Sequence, residues 1–111
     1  MLGLVQTFTV LLAAALAAVR VEPQSSGVTA RLRGVSAVSS AVAWASGAGG
    51  TILRTVDGGR TWQPRPIPST EGVDFRDVDA VNDRVAYVLS IGSGESSRIY
   101  KTVDGGEHWD L

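Results

Sequence analysis

Two short segments of the sequence repeat the residues Thr-Val-Asp-Gly-Gly, at 55–59 and at 102–106. Their carboxylates, Asp57 and Asp104, are the first candidates for chemistry, because a pair of carboxylates can act as general acid and base or as acid and nucleophile. Each Asp is followed by two glycines and lies between two β-type runs. Asp beside Gly is typical of a tight hairpin turn, in which the carboxylate accepts backbone N–H groups and glycine supplies positive φ. The local pattern therefore favours a structural role, with the carboxylates in equivalent turns and not in one cleft.

The residue types elsewhere in the chain favour no other chemistry. There is no cysteine and a single histidine, His108, so the sequence predicts no metal site and no cofactor. The two turns do not match a calcium loop, because acidic ligands do not follow each Asp at alternate positions. The glycine-rich run 47–50 lies between two strands with no helix after it to help bind phosphate, and we interpret it as a hairpin turn. His108 would need a partner from another segment to act as a base, and we treat it as exposed.

The charge distribution argues against one class of partner. Ten Lys and Arg residues are interspersed with eleven Asp and Glu residues, and the formal net charge is −1. Because the basic residues form no patch or stripe, we predict that the protein binds neither nucleic acid nor an anionic lipid surface. A hydrophobic content of 44% over 111 residues fits one ordinary domain or part of a larger one.

The N-terminal residues are the most apolar part of the chain. The run 8–19 is broken only by Thr9 and ends in small residues, with Ala-Leu-Ala at 15–17 as a candidate cleavage site. We predict a signal peptide at 1–18, with an uncleaved membrane anchor as the alternative, since about 20 apolar residues can span a bilayer. In both cases the remainder is exported, to the periplasm or the extracellular space, and meets a membrane only through this segment. Residues 19–30 follow as an extended lead-in.

The rest of the chain is an internal repeat. Seven positions from Arg33 to Trp44 match positions 43 residues later, and seven positions from Ile52 to Trp62 match at an offset of 47 after a longer loop. Turn residues divide each copy into four short β-type runs. These runs are 31–38, 41–46, 51–56 and 61 onward in the first copy, and 75–81, 84–91, 98–103 and 107 to the end in the second. Four strands in a repeat of this length are the pattern of a β-propeller blade.

The predicted fold is therefore all-β: a partial β-propeller of about two four-stranded antiparallel blades, the second incomplete, after an N-terminal hydrophobic segment. The first blade spans 31–74 and the second spans 75–111, and each contains one of the repeated turns. Adjacent apolar pairs such as Ile52 and Leu53 support this architecture. A blade lies between two neighbours and must present apolar groups on both faces.

The repeated motif extends beyond its five central residues. A threonine stands two residues before each Asp and is placed to form a local bond between side chain and backbone. A tryptophan stands three residues after each second glycine, and its indole can fold under the turn and contribute about 1.5–3 kcal/mol of packing. We predict a structural role for ten residues: Thr55, Asp57, Gly58, Gly59, Trp62, Thr102, Asp104, Gly105, Gly106 and Trp109.

These residues resemble the Asp-box, or BNR repeat, S/T-x-D-x-G-x-T-W, and His108 departs from it by replacing a threonine. The surrounding residues, AWASGAGGTILRTVDGGRTW and AYVLSIGSGESSRIYKTVDGGEHW, are similar to the propellers related to the photosystem II stability and assembly factor. The resemblance covers about residues 20–111. It implies a non-enzymatic scaffold or binding module whose partner is another protein, as in photosynthetic relatives that bind a reaction-centre protein. It also implies that the boxes are fold elements at the blade rim.

Asp-boxes also occur in secreted glycosidases, so the alternative is the N-terminal part of a sialidase-type glycosyl hydrolase whose catalytic residues lie on blades beyond these two. That chemistry requires a Tyr nucleophile with a carboxylate partner and an arginine cluster for the substrate carboxylate. Tyr87 takes the place of Trp44 in the repeat, and Tyr100 lies in the strand before the second turn. Arg33 and Arg76 occupy the same blade position, and repetition favours a contact between blades. We expect that this chain is not an enzyme.

We further expect the chain to be part of a longer protein. Propellers have about four to eight blades, and repeats of this kind bury too little surface until about three are stacked. The remaining blades are expected from C-terminal sequence beyond Leu111. The lead-in is then the strand that completes the last blade of the ring.

Overall fold

The computed structural model describes residues 19–111, and the signal segment predicted at 1–18 lies outside them. The strands are β1 (Leu32–Ala37), β2 (Ala43–Gly47), β3 (Thr51–Thr55), β4 (Gln63–Pro64), β5 (Asp74–Ala80), β6 (Ala86–Ile91) and β7 (Ile99–Thr102). A single turn of 3₁₀ helix lies at Gly94–Ser96. Within residues 19–111, no helix has the length and apolar character needed to cross a lipid bilayer.

The strands form two antiparallel sheets that follow the order of the chain. Strands β1 to β4 make a four-stranded sheet, here called blade 1, and β5 to β7 make a three-stranded sheet, blade 2. A bridge between Lys101 and Asp110 lies where blade 1 has its fourth strand. The predicted fold, an all-β partial propeller with a second blade less complete than the first, is confirmed.

The two blades pair their strands in the same register. Trp44 lies opposite Arg54 across β2 and β3, and Tyr87 lies opposite Lys101 across β6 and β7. The first strand of each blade, β1 or β5, also has one register shift near its start. Such irregularities bend a strand and increase its local twist, and they lie at equivalent positions of the two blades.

The core lies between the two blades, where β5 packs against β1 and β2. Its buried apolar side chains are Trp44, Ile52, Ile67, Phe75, Val78, Ala86 and Val88. The burial of β6 alternates strictly, with three residues buried and the three between them exposed. Because the exposed residues Tyr87, Leu89 and Ile91 are also apolar, β6 is suited to be covered on both faces.

The lead-in contacts the turn of blade 1. The segment that follows β4 makes the equivalent contact with the turn of blade 2. The Gln24 side-chain amide donates to the Gly58 carbonyl at 3.3 Å, and a Cβ atom at Gly59 would meet the Gln24 side chain. In blade 2, a Cβ atom at Gly106 would meet the Arg65 side chain. Each second glycine therefore leaves room for a side chain of the preceding extended segment.

Candidate functional site: the two repeated turns

The first turn, residues 55–62, joins β3 to β4 around the side chain of Thr55. This threonine is 2% exposed. Its hydroxyl donates to Asp57 Oδ1 at 2.8 Å and accepts the Gly59 N–H at 2.9 Å. One hydroxyl thus serves as donor to the carboxylate and as acceptor for a buried amide, which would be costly to leave unpaired.

Both oxygens of the Asp57 carboxylate accept hydrogen bonds from within the turn. Oδ1 also accepts the Thr61 N–H at 2.9 Å, and Oδ2 accepts the Thr61 hydroxyl at 2.6 Å. The bonds from Thr61, followed by that from Thr55, lower the pKa of Asp57 to about 2. A carboxylate that remains ionised and is held by its own loop is suited to fix the backbone and poorly suited to transfer protons near neutral pH.

The second turn, residues 102–109, has the same network with one replacement. Thr102 Oγ1 donates to Asp104 Oδ1 at 2.9 Å and accepts the Gly106 N–H at 2.8 Å. His108 stands where the first turn has its second threonine. Its N–H donates to Oδ1 at 2.9 Å, and its ring Nδ1 lies 2.7 Å from Oδ2. The imidazole therefore takes the place of the threonine hydroxyl.

Asp104 and His108 shift the pKa of each other. The backbone N–H and the ring of His108 lower the pKa of Asp104. The hydrogen bond to Asp104, and then its negative charge, raise the pKa of His108. The histidine side chain is 87% exposed. Because solvent screens an exposed pair, this interaction contributes little to stability.

The two glycines of each turn adopt a backbone conformation that other residues rarely take. Their φ angles are 75° and 87° in the first turn and 74° and 88° in the second. The N–H of the first glycine donates to a carbonyl in the hairpin between the first two strands of the same blade. The Gly58 N–H reaches Ala41 and the Gly105 N–H reaches Arg84, both at 2.9 Å. Each turn is therefore tied to the hairpin beside it.

The tryptophans of the two turns have different surroundings. Trp109 packs edge-on against Trp44 of blade 1, with ring centroids 6.0 Å apart and planes at 86°. Its Nε1 donates to the Arg65 carbonyl at 3.2 Å. Trp62 instead lines an open groove beside β1 and β2 on the outer side of blade 1. The tryptophan of the second turn therefore packs in the contact between the blades, whereas that of the first turn lies at an open groove.

Arg54, which the sequence patterns do not single out, joins the two blades. Its guanidinium donates to the carbonyls of Asp83 at 2.9 Å and Gly105 at 3.4 Å, both in blade 2. It lies 5.9 Å from the centre of the Trp44 ring. Burial, and then the charge of Arg65, lower the pKa of Arg54. The sequence repeat could have indicated Arg54, because an aromatic residue on the second strand faces a cation on the third strand in both copies.

The other candidate residues are paired with neighbouring side chains. Arg33 pairs with Asp74 of blade 2, with 3.3 Å between nitrogen and oxygen. Tyr100 packs edge-on against a phenylalanine at 6.0 Å between ring centroids. Tyr87 lies 5.4 Å from the ammonium of Lys101. In the part of the chain that the structure describes, no three His, Cys, Asp or Glu side chains are grouped so that they could hold a metal ion.

These positions define the class of protein. Asp57 and Asp104 lie just after the ends of β3 and β7, in separate blades, and each is bound within its own turn. Two antiparallel blades of the same register, packed face to face over an apolar core, are a segment of a β-propeller.

Solved structures of YCF48 are similar to this chain. YCF48 bound to a D1 peptide matches with a TM-score of 0.61 and 26% identity, over 77% of this chain and 27% of that chain. YCF48 from Cyanidioschyzon merolae matches with a TM-score of 0.55 and 28% identity, over 72% of this chain and 26% of that chain. The similarity confirms the predicted resemblance to the photosystem II assembly factor-like propellers.

This chain spans about a quarter of the length of the YCF48 chains that it matches. Neither a protein-family model nor a curated protein matches the sequence.

Proposed function

We propose that this chain is part of an exported, non-enzymatic β-propeller that binds another protein, and that its two repeated turns are Asp-boxes with a structural role. The observation that carries the proposal is the similarity to YCF48 with a bound D1 peptide. The turns support it, because both carboxylates are occupied by donors of their own turns. A propeller held together in this way offers its loops and rims to a partner while the turns maintain the blades.

Binding is tested with the D1 peptide as the probe. A fluorescently labelled peptide is titrated with the purified chain and followed by fluorescence anisotropy. We expect saturable binding of the D1 peptide and none of a scrambled peptide of the same composition. Equal binding of the two peptides, or no binding of either, contradicts the proposal.

The glycosidase alternative has less support from the described residues. Its nucleophile would be a tyrosine beside a carboxylate. Tyr100 is instead packed against Phe75, and Tyr87 faces Lys101. A fluorogenic sialoside tests whether these 111 residues themselves carry that activity. Hydrolysis by the purified chain that a Tyr87→Phe or Tyr100→Phe variant loses would overturn the non-enzymatic proposal.

Export is supported by the apolar sequence at 1–18 and is tested separately. The chain is produced in a bacterial host, fractionated, and sequenced from its N-terminus. A soluble periplasmic product that begins at or just after Ala18 supports a cleaved signal peptide. A product that keeps Met1 in the membrane fraction supports an anchor. Retention in the cytoplasm contradicts export.

A further inference from the structure

The contact between the two blades has two sides, and the repeat places an equivalent of each side on the surface. On the blade 1 side, the strands β2 and β3 contribute Trp44, Ile52 and Arg54. The repeat offsets lead from these residues to Tyr87, Ile99 and Lys101. The last three lie on the outer side of blade 2, which blade 1 does not cover.

We call this outer side of blade 2 the trailing face, defined by Tyr87, Leu89, Ile99 and Lys101. The exposed fractions are 36% for Tyr87, 37% for Leu89 and 60% for Ile99. Tyr87, Leu89 and Ile99 line one shallow groove. The aromatic ring and the cation face each other as in the covered pair, at 5.4 Å compared with 5.9 Å. The trailing face therefore has the chemistry of a blade-to-blade contact without its cover.

The blade 2 side of the contact has its equivalent on blade 1. That side presents Phe75, Val78, Val88 and Trp109. The same offsets lead back to Leu32, Val35, Ala45 and Trp62, which line a second open groove and which we call the leading face. Leu32 is 42% exposed and Val35 is 70% exposed, whereas Val78 is 4% exposed.

We propose that the leading face of one copy of this chain docks on the trailing face of a second copy, head to tail. Within residues 19–111 both faces are exposed, and they are the two halves of a contact that the molecule already forms once, between its own blades. A second copy supplies the matching half with the same residues in the same register. A second copy takes these faces only where further blades of the same chain do not cover them, and neither the D1 peptide nor another partner is required.

Polar groups of the internal contact also have equivalents between copies. Trp44 Nε1 donates to the Asn82 carbonyl at 3.1 Å. The equivalent pair between copies is the Tyr87 hydroxyl, a donor on an aromatic ring, and the Ser39 carbonyl. A docked copy therefore retains a donor and an acceptor at this position, which avoids burying an unpaired polar group.

A second hydrogen bond between the blades also has an equivalent between copies. Ser36 Oγ accepts the Ala80 N–H across the blades at 3.0 Å. The equivalent pair between copies is the Asp79 carboxylate and the Ala37 N–H. A carboxylate is a stronger acceptor for a backbone N–H than a hydroxyl, so this bond is retained or strengthened.

Two replacements weaken the contact between copies relative to the internal one. A Cβ atom at Gly34 would lie only 2.9 Å from the Asp77 Cα, so the blades approach closely at this glycine. On the trailing face, Asp77 stands in place of that glycine and requires a wider spacing. The ion pair between the blades is also replaced by two arginines, Arg31 and Arg76. We therefore expect association that depends on protein concentration.

Docking by two different faces is heterologous and produces either a closed ring or an open filament. Since a propeller closes with about four to eight blades and residues 19–111 form two of them, a closed ring of the 111-residue chain contains about two to four copies. We expect sedimentation equilibrium of the purified 111-residue chain to show species of this size, in multiples of 11.6 kDa. A monomer at every concentration up to about 100-fold above the lowest would overturn the proposal.

The decisive experiment blocks one face at a time. Val35→Glu places a charge on the leading face, and Leu89→Glu places one on the trailing face. Each variant alone is expected to associate at least about 100-fold more weakly, because an unpaired charge would be buried in the contact. Mixed together, the two variants are expected to form a 1:1 heterodimer, since one retains its trailing face and the other its leading face.

The control variant is Val56→Glu, which adds the same charge at a 41% exposed position outside both faces. It should associate like the unmodified chain. Near-ultraviolet circular dichroism of the Trp44–Trp109 pair checks that each variant is folded, and heterodimer formation itself requires folded partners. Self-association that persists in both single variants, or a mixture that remains monomeric, contradicts docking by these faces.

Discussion

Blade 1 and blade 2 have the same strand register and the same turn, yet they bury equivalent residues to different extents. Trp44 is completely buried under blade 2, whereas its equivalent Tyr87 is 36% exposed. Arg54 donates to two carbonyls of blade 2, whereas its equivalent Lys101 lies over the Tyr87 ring of its own blade. Local sequence therefore sets the shape of a blade, and the neighbouring blade determines which side chains carry its stability.

The two turns show the opposite relation, because a different residue produces the same geometry. Thr61 and His108 both donate a backbone N–H to the carboxylate at 2.9 Å, and both place a side-chain atom within 2.7 Å of the other oxygen. What the turn requires at this position is a polar side chain that can hydrogen-bond to the carboxylate. The comparison also separates the turns chemically, since the imidazole titrates and the hydroxyl does not.

The largest difference between the blades is expected at the equivalent aromatic residues Trp44 and Tyr87. Trp44→Ala should lower the free energy of unfolding by about 3–5 kcal/mol, because it removes the largest buried side chain of the core. Tyr87→Ala should cost less than about 1 kcal/mol at low protein concentration, where its face is uncovered. Urea denaturation followed by circular dichroism measures both values. Similar losses for the two variants would show that the contact between the blades is not the centre of stability.

The next difference is expected at the facing cations. Arg54→Met should lower the free energy of unfolding by about 1.5–3 kcal/mol, since it removes charged hydrogen bonds that join the blades. Lys101→Met, at the equivalent position of blade 2, should change it by less than about 0.5 kcal/mol. The same denaturation experiment compares the two variants. If Lys101→Met costs as much as Arg54→Met, the bonds between blades are not the reason for the loss.

The buried threonines should behave alike. Thr55→Val and Thr102→Val keep the shape of the side chain and leave the Gly59 or Gly106 N–H without its acceptor. Each should lower the free energy of unfolding by about 1–3 kcal/mol, the cost of a buried unpaired donor. The test is whether the two losses agree in thermal and urea unfolding. A clear difference between them would mean that the neighbouring blade also controls the turns.

The smallest effect is expected from the pH dependence of the second turn. The pKa of His108 is raised above its ordinary value of 6.5, so its contribution to stability is complete below about pH 6.5 and is lost as the pH rises through the folded-state pKa. The pKa values of Asp57 and Asp104 are lowered from 3.8, so their contributions are present above about pH 4 and are lost only in stronger acid.

The matched variants are His108→Thr and Thr61→His, which exchange the two residue types between the turns. The melting temperature of His108→Thr should fall further below that of the unmodified chain at pH 5.5 than at pH 9. Thr61→His should show the reverse, with its gain confined to the lower pH. If the difference in melting temperature is the same at both pH values, titration of the histidine is not its cause.

The sequence by itself determined the internal repeat, the all-β fold and the position of the turns. These features are local, since Asp followed by two glycines specifies positive φ and a tight turn within five residues. The short-range bonds of Thr55, Asp57 and Gly59 span at most four positions along the chain. Such contacts require no knowledge of a distant segment.

Only the tertiary structure decided which equivalent residue is buried and what it bonds. Trp62 and Trp109 are the same residue in the same motif, but Trp109 alone reaches the side chain of Trp44. The two blade 2 carbonyls that accept from Arg54 lie 29 and 51 positions away along the chain. The physical reason is that burial and hydrogen bonding between blades depend on what covers a face, and a local pattern does not contain that information.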